Sequence, residues 1–164
     1  MPEQATIKRA RRDRREGKAP STQAGEFVRE EMEHIREGKH GARSTKQAIA
    51  IGLSKARRAG VDLPAPKAGA SSRTKRQAAR DTAAASHPHP PSPRRSRATK
   101  QALQREGHAA ASHQAISRQA RSAASKRSAA SRSTAARKAA QTKGPALRSA
   151  AAKKAARTRA RRRA

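Results

Sequence analysis

Residues 44–56 read STKQAIAIGLSKA, and this stretch decides the predicted fold. Ser44 is followed three residues later by Gln47, just before an apolar run, which is the capping-box pattern that begins a helix. From Ile49 onward, apolar residues recur at i, i+4 and i+7, so they share one helical face. A glycine and then a proline follow, and both favour the end of a helix. The pattern therefore predicts an amphipathic helix over 44–59.

A second apolar stripe lies upstream, in residues 22–37. Its large side chains are Phe27, Val28, Met32 and Ile35. The last three fall at one-sided helical spacing, which predicts a helix over that segment. The glycines that follow would let the two helices pack as a hairpin over 21–63. Burying a large side chain stabilises by about 1.5–3 kcal/mol, while ordering costs about 1–2 kcal/mol per residue. We therefore expect a marginal hairpin, or a weak homo-oligomer that completes the core.

The rest of the chain has the composition of a polycation that folds poorly. The chain as a whole contains 41 Lys and Arg against 11 Asp and Glu, a formal net charge of +30, and one Phe with no Trp, Tyr or Cys. Alanine supplies most of the hydrophobic fraction and buries little area. We therefore expect a mostly α-helical chain without a large core: the small hairpin, then a long basic, Ala-rich tail that is helical to disordered. This composition excludes most enzyme architectures, disulfide frameworks and cysteine-based zinc sites.

Charge divides the chain near residue 64. Residues 1–63 hold 15 basic and 9 acidic residues, whereas residues 64–164 hold 26 and 2. Charge and proline content together predict four segments: a basic lead-in at 1–20, the hairpin at 21–63, a Pro-rich linker at 64–96 and the basic tail at 97–164. The lead-in has a single large apolar residue, Ile7, so we expect no core face there. The linker includes a short possible helix at 74–85.

The tail begins with a degenerate copy of the hairpin motif. Residues 43–49, RSTKQAI, recur as RATKQAL at 97–103. The glycine turn REGKH at 36–40, which precedes the first copy, is echoed by REGH at 105–108. A loose six-residue repeat follows over 121–138. Six residues advance a helix by about 600°, so the basic positions rotate around the axis and no apolar stripe forms. We expect this segment to fluctuate alone and to become helical against a polyanion.

Two resemblances add to this interpretation. Over about 26–60, the chain resembles a small bacterial family of unknown function. The characteristic sequence feature of this family is a glycine–lysine turn followed by the motif S-x-x-Q-A-I-A-I-x-L-S-x-A. Residues 44–56 match the motif. That resemblance implies a helical fold and a bacterial origin, and no activity. The tail resembles the Ala/Lys/Arg-rich tails of histone-H1-like bacterial nucleoid proteins, which implies an architectural role on DNA.

A charge of this size favours nucleic acid as the partner, with DNA preferred over RNA. Because the tail has no aromatic platform for base stacking, we expect phosphate contacts that do not depend on sequence. Ser92-Pro93-Arg94-Arg95 is also similar to the Ser-Pro-basic-basic elements of histone tails. The candidate contacts are Arg94, Arg95, Arg97, Lys100, Arg118, Arg121, Lys126, Arg127, Arg132, Arg137, Lys138, Lys143, Arg148, Lys153, Lys154, Arg157, Arg159, Arg161, Arg162 and Arg163. The predicted function is that of a non-enzymatic, histone-like protein of the cytoplasmic nucleoid.

Other functions remain open at this stage. The chain could serve RNA or the ribosome, because RNA offers the same phosphates, or it could be a stress-response module that binds another protein. The hairpin is a candidate for oligomerisation, for a purely structural unit, or for a helix-turn-helix reader. In the last case the contacts would be Lys46, Lys55, Arg57 and Arg58. The six histidines lack carboxylate or cysteine partners at ligand spacing, so no metal site is expected. We expect no cofactor, no catalytic residue and no membrane partner.

Overall fold

The computed structural model describes residues 2–87, 90 and 92–163, and all secondary structure in that part is helical. The helices are α1 (Gln4–Arg15), α2 (Pro20–Arg36), α3 (Thr45–Arg58), α4 (Ser72–Ser86), α5 (Pro93–Gln104), a 3-10 turn (Ala109–Ala111), α6 (His113–Ser125) and α7 (Ala129–Arg163). The predicted mostly-α class is confirmed. The chain divides into two compact units, Met1–Gln119 and Ala120–Ala164. Within the described residues, we find no helix whose length and apolar character would suit a membrane span.

The predicted N-cap forms at the start of α3, in a variant of the capping box in which the Gln47 side chain bonds the residue before the N-cap. The Ser44 hydroxyl accepts a hydrogen bond from the backbone N–H of Gln47 at 3.2 Å, and Gln47 Oε1 accepts one from the N–H of Arg43 at 2.9 Å. At the other end, Gly60 takes a φ of +83°, and the next N–H donates back to the carbonyl of Ala56 at 3.0 Å. Local sequence therefore sets both ends of α3.

Helices α2 and α3 pack against each other as the predicted hairpin. Phe27 lies at one end of the interface with Ala56, and Ile35 lies at the other end with Ala48; all four are buried. The helices approach closely at Gly52, where an added Cβ would lie 2.7 Å from the Cα of Val28. Small residues on α3 thus let large residues of α2 fill the space between the helices.

The expectation that residues 1–20 lack a core face is wrong. Helix α1 packs on α2, with Thr6, Ala10 and Asp13 buried and Ile7 partly buried beside Phe27. The buried face consists of small and polar side chains. A search for large apolar residues does not detect such a face.

The possible helix within the Pro-rich linker exists as α4, which packs on α3. Its contact centres on Asp81, which is 3% exposed. That carboxylate accepts hydrogen bonds from Arg58 Nε at 2.8 Å, Ser54 Oγ at 2.7 Å and Gln77 Nε2 at 3.0 Å. The linker segment is therefore partly folded onto the hairpin.

The segment that copies the hairpin motif docks on the hairpin itself. The N–H groups of Gly41 and Ala42 donate to the carbonyls of Leu103 and Gly107, at 2.9 and 3.1 Å. An added Cβ on Gly41 would collide with the carbonyl oxygen of Glu106, so only glycine allows this approach.

Two side-chain hydrogen bonds complete the docking. Arg36 Nε donates to the carbonyl of Ala111 at 2.8 Å, and Thr45 Oγ1 donates to that of Ala110 at 2.7 Å. Both alanines are buried in the cluster around Ile35. The core of the first unit is thus closed by residues that lie about 70 positions along the chain from the hairpin.

The second unit consists of the end of α6 and the long helix α7. Helix α7 is interrupted at Gly144, whose φ of 66° and ψ of 169° are not helical, and Pro145 follows. Proline disfavours helical backbone at the preceding residue, which accounts for the break. The sequence predicts a tail that is helical to disordered. In the structure the described part of this unit is largely helical.

Candidate nucleic-acid interface

The predicted contact residues are distributed over both units. Arg94, Arg95, Arg97 and Lys100 lie on α5, and Arg118 lies on α6 within the first unit. The remainder lie in residues 120–164, most of them on α7. Each predicted contact side chain that the structure describes is exposed. The side chains of Arg162 and Arg163 lie outside the described part. The predicted residues that the structure describes therefore share exposure and charge.

These tail cations have no acidic partners. The sequence contains no acidic residue after Glu106, and every ion pair among the described residues involves an acidic group between Glu3 and Asp81. Arg127 instead donates to the hydroxyl and carbonyl of Ser131, at 3.1 to 3.3 Å. The positive charge of residues 120–164, which hold 15 basic residues, is therefore not offset by any acidic side chain of the same unit.

Some cations of the folded unit differ because they are held in ion pairs. Arg9 contacts Glu26 at 2.6 Å, and Lys18 contacts Asp13 at 2.7 Å. Hydrogen bonds with Asp13 and then with Glu16 raise the pKa of Lys18 above its ordinary value of 10.5. These lysine and arginine groups stabilise the fold and offer less free charge to an external anion.

Basic residues surround α7 on all sides. Its two arms, 129–143 and 145–163, span about 22 Å and about 28 Å at a rise of about 1.5 Å per residue. At about 100° per residue, Arg148, Lys153 and Lys154 lie at about 0°, 140° and 240° around the axis. Such a helix has no single binding face. It can offer charge to phosphates from several directions but has no defined register for reading bases.

A second basic surface was not among the predicted contacts. Lys8, Arg11, Arg12, Arg14 and Arg15 of α1 are exposed, and together with Arg9 they line one surface depression. The low net charge of residues 1–63 concealed this cluster, because that count combines its basic residues with nine acidic residues, four of which lie in α2. The run RARRDRR at 9–15 was the available signal.

The residues proposed for a helix-turn-helix reader are largely engaged in other contacts. Lys55 Nζ lies 2.7 Å from Glu31 Oε2, Arg58 bonds Asp81, and Arg57 donates to the carbonyl of Pro64 at 3.2 Å. Only Lys46 is exposed without a side-chain hydrogen bond or ion pair within the described residues. The geometry of α3 therefore favours a structural role for this helix.

Comparison with known proteins gives one match, and it covers the first helices. Residues 3–67 match the family of unknown function DUF6496. The DUF6496 segment contains α1, α2 and α3, so the expected likeness to a small family of unknown function is confirmed at that level. The specific motif and the likeness of the tail to histone-H1-like proteins stay predictions. No curated protein and no solved structure matches the chain.

Proposed function

We propose that this protein binds nucleic acid through phosphate contacts that do not depend on sequence, with DNA preferred over RNA. In this role it is a histone-like architectural protein of the bacterial nucleoid. The observation that carries the proposal is the contrast in charge pairing. Acidic groups partner some cations of the folded unit, whereas the sequence of residues 120–164 contains no acidic residue to partner its exposed cations. A polyanion supplies the missing partners.

The physical driving force is the release of counterions from the nucleic acid. Each phosphate that the protein neutralises contributes about −0.9 to the slope of log affinity against log salt on duplex DNA. Helix α7 alone carries 12 basic residues, counted from its sequence. Because they surround the axis, they cannot all face one duplex. Engagement of about ten phosphates by the whole chain would give a slope near −9.

The two units have separate roles in this proposal. The first unit holds a packed core, and the second supplies a long cationic helix that coats or bridges duplexes. Duplex DNA presents about one charge per 1.7 Å of its axis, which is denser than the cations along α7, so each exposed cation has a phosphate available. The tail contains no Phe, Tyr or Trp to form an aromatic platform for the bases, which supports binding without sequence preference.

The test compares two charge-matched variants of the full chain by fluorescence anisotropy over a series of salt concentrations. The tail variant replaces five α7 cations with Gln: Arg148, Lys153, Lys154, Arg157 and Arg159. The control variant replaces five α1 cations with Gln: Lys8, Arg11, Arg12, Arg14 and Arg15. Both lose the same charge, and all ten positions are exposed.

We expect the tail variant to lose about 3 to 4.5 units of slope, and the α1 variant to lose less than about 1 unit. A greater loss in the α1 variant would place the interface on the folded unit and overturn the assignment. Strong discrimination between two duplexes of equal length, together with a shallow slope, would overturn the phosphate mechanism.

Nuclease treatment of a pull-down of the tagged full chain separates the partner classes. Recovery of bound material that is sensitive to DNase supports the DNA proposal. Sensitivity to RNase alone would favour RNA or the ribosome, and insensitivity to both would favour a protein partner. Either of the last two results would refute the proposed preference for DNA.

A further inference from the structure

The end of α2 and the turn after it bring together three potential metal ligands. Glu31 and His34 lie one helical turn apart, and Gly38, at a φ of +75°, reverses the chain so that His40 returns beside them. One oxygen of Glu31 and one ring nitrogen of each histidine lie within 4.8 Å of one another. The two rings meet edge to face, with their centroids 6.2 Å apart.

The Glu31 carboxylate is fully buried, yet neither of its oxygens accepts a hydrogen bond with acceptable geometry. Its neighbours are cationic or potentially cationic groups. Lys55 Nζ lies 2.7 Å from Oε2, and His40 Nε2 lies 3.3 Å from Oε1. A buried carboxylate without hydrogen bonds is unfavourable unless a positive charge compensates it. Lys55 meets that need at one oxygen, and Oε1 lies beside His40.

The tautomer of His40 determines which of its ring nitrogens is available to a metal ion. Its Nδ1 lies 3.1 Å from the carbonyl oxygen of Gly41, which can only accept, so Nδ1 carries the hydrogen. In the neutral ring, Nε2 is then the unprotonated nitrogen that can bind a metal ion, and it lies 3.3 Å from Glu31 Oε1.

His34 is oriented in a way that also suits a ligand. Its Nε2 lies 2.9 Å from Glu3 Oε1, and because a carboxylate can only accept, Nε2 carries the hydrogen. The other ring nitrogen of neutral His34 is then free to bind a cation. Histidine ligands of metals usually donate their second N–H to a carboxylate or carbonyl in this manner.

We propose that Glu31, His34 and His40 bind a divalent transition-metal ion, of which zinc is the best match. Two imidazole nitrogens and one carboxylate oxygen form a ligand set that zinc accepts, with a fourth position left open. Ligand atoms about 2.0–2.2 Å from a tetrahedral centre lie about 3.3–3.5 Å apart, so small side-chain movements suffice. The ion would fix the turn at 37–41 against α2. This proposal does not rest on the proposed nucleic-acid function.

The test is zinc titration of the full chain by isothermal calorimetry, after treatment with a chelator and dialysis. We expect about one equivalent to bind the wild type, and magnesium, which prefers oxygen ligands, not to bind. Loss of an outer-shell partner typically reduces metal affinity about 10–100-fold, so His34→Ala and His40→Ala should each lower it at least tenfold. Cobalt substitution should give a visible absorption band that both variants lose.

The matched control is His113→Ala, because His113 is exposed and lies outside the cluster. It should bind zinc like the wild type. The Glu31→Gln variant keeps the shape of the side chain and should also lose zinc affinity. Circular dichroism checks that this variant is folded. Absence of saturable zinc binding in the wild type would overturn the proposal and leave Lys55 as the ion-pair partner of Glu31. Equal binding by the His34→Ala, His40→Ala and control variants would overturn it as well.

Discussion

Replacing Gly41 with Ala should release the docked segment 103–111 from the hairpin without unfolding the hairpin. The added Cβ would collide with the carbonyl oxygen of Glu106 and would lie 2.8 Å from that of Gly107. Both neighbours are backbone atoms, which cannot move aside as the end of a flexible side chain can. Gly41 does not have a positive φ, so the expected effect comes from this collision and not from backbone strain.

The size of the effect follows from the hydrogen bonds that join the two segments. Four of them connect the hairpin to residues 103–111, and two of these, from Gly41 and Ala42, lie at the collision. At about 0.5–1.5 kcal/mol net for each bond, loss of these two costs about 1–3 kcal/mol. Local opening at Ala42 should therefore become about 5–150 times more frequent, because each 1.4 kcal/mol corresponds to about a factor of ten.

Amide hydrogen exchange measures this directly. In the Gly41→Ala variant, the amide of Ala42 should lose protection by that factor, while amides in the middle of α2 and α3 keep most of theirs. The control is Gly25→Ala, since Gly25 lies inside α2 with no atom near its added Cβ. That change should raise the stability of the protein by about 1 kcal/mol. Unchanged exchange at Ala42 in the first variant would refute the docking.

Two further predictions concern contacts within the first unit. Asp81→Ala removes the acceptor of three hydrogen bonds, including the one from Arg58, and should lower the free energy of unfolding in urea by about 1.5–3 kcal/mol. An Asp81→Ala variant as stable as the wild type would contradict the packing of α4 on α3. Lys18 has its folded pKa raised above 10.5, so its stabilisation is complete below that pH and is lost as pH rises further. In thermal unfolding between pH 10 and 12, Lys18→Met should therefore lose less stability than the wild type, and equal losses would contradict the pairing with Asp13.

The hairpin could be predicted from the sequence because its signals are local. The capping box at Ser44 and the apolar spacing of Met32 and Ile35 each involve residues within one or two helical turns. The burial of α1 could not be predicted in this way. Thr6 and Asp13 are buried because α2 covers them, and nothing in their own type or spacing distinguishes them from surface residues.

The docking of 103–111 was beyond prediction for a different reason. The copied motif showed a likeness between two segments, but likeness does not say which surfaces meet. The contact is made largely by backbone groups, such as the carbonyls of Leu103 and Gly107, which leave no side-chain signal. The same holds for the metal ligands. Glu31 and His34 were visible at i and i+3, but His40 joins them only through the reversal at Gly38.

The candidate contacts of the tail were predictable because charge is a property of composition and does not depend on the fold. Exposure of Lys153 and Arg157 follows from the lack of any apolar partner nearby. The α1 cluster was missed because net charge, taken over 1–63, averaged its arginines with the acidic residues of α2. A basic surface is therefore detected from the local charge of each segment and from the position of the acidic residues, and not from the net charge of a long region.

Repulsion between the cations of α7 also couples the formation of this helix to the binding of the proposed ligand. In α7, Lys153, Lys154 and Arg157 lie within about one turn of one another, and no acidic residue offsets their repulsion. Phosphates placed beside these residues remove the repulsion, so binding and helix formation favour each other. Added salt then has two opposed effects. It screens the repulsion and stabilises the free helix, but it also reduces the gain from counterion release. The second effect outweighs the first for a protein that neutralises about ten phosphates, so affinity should fall as salt is added.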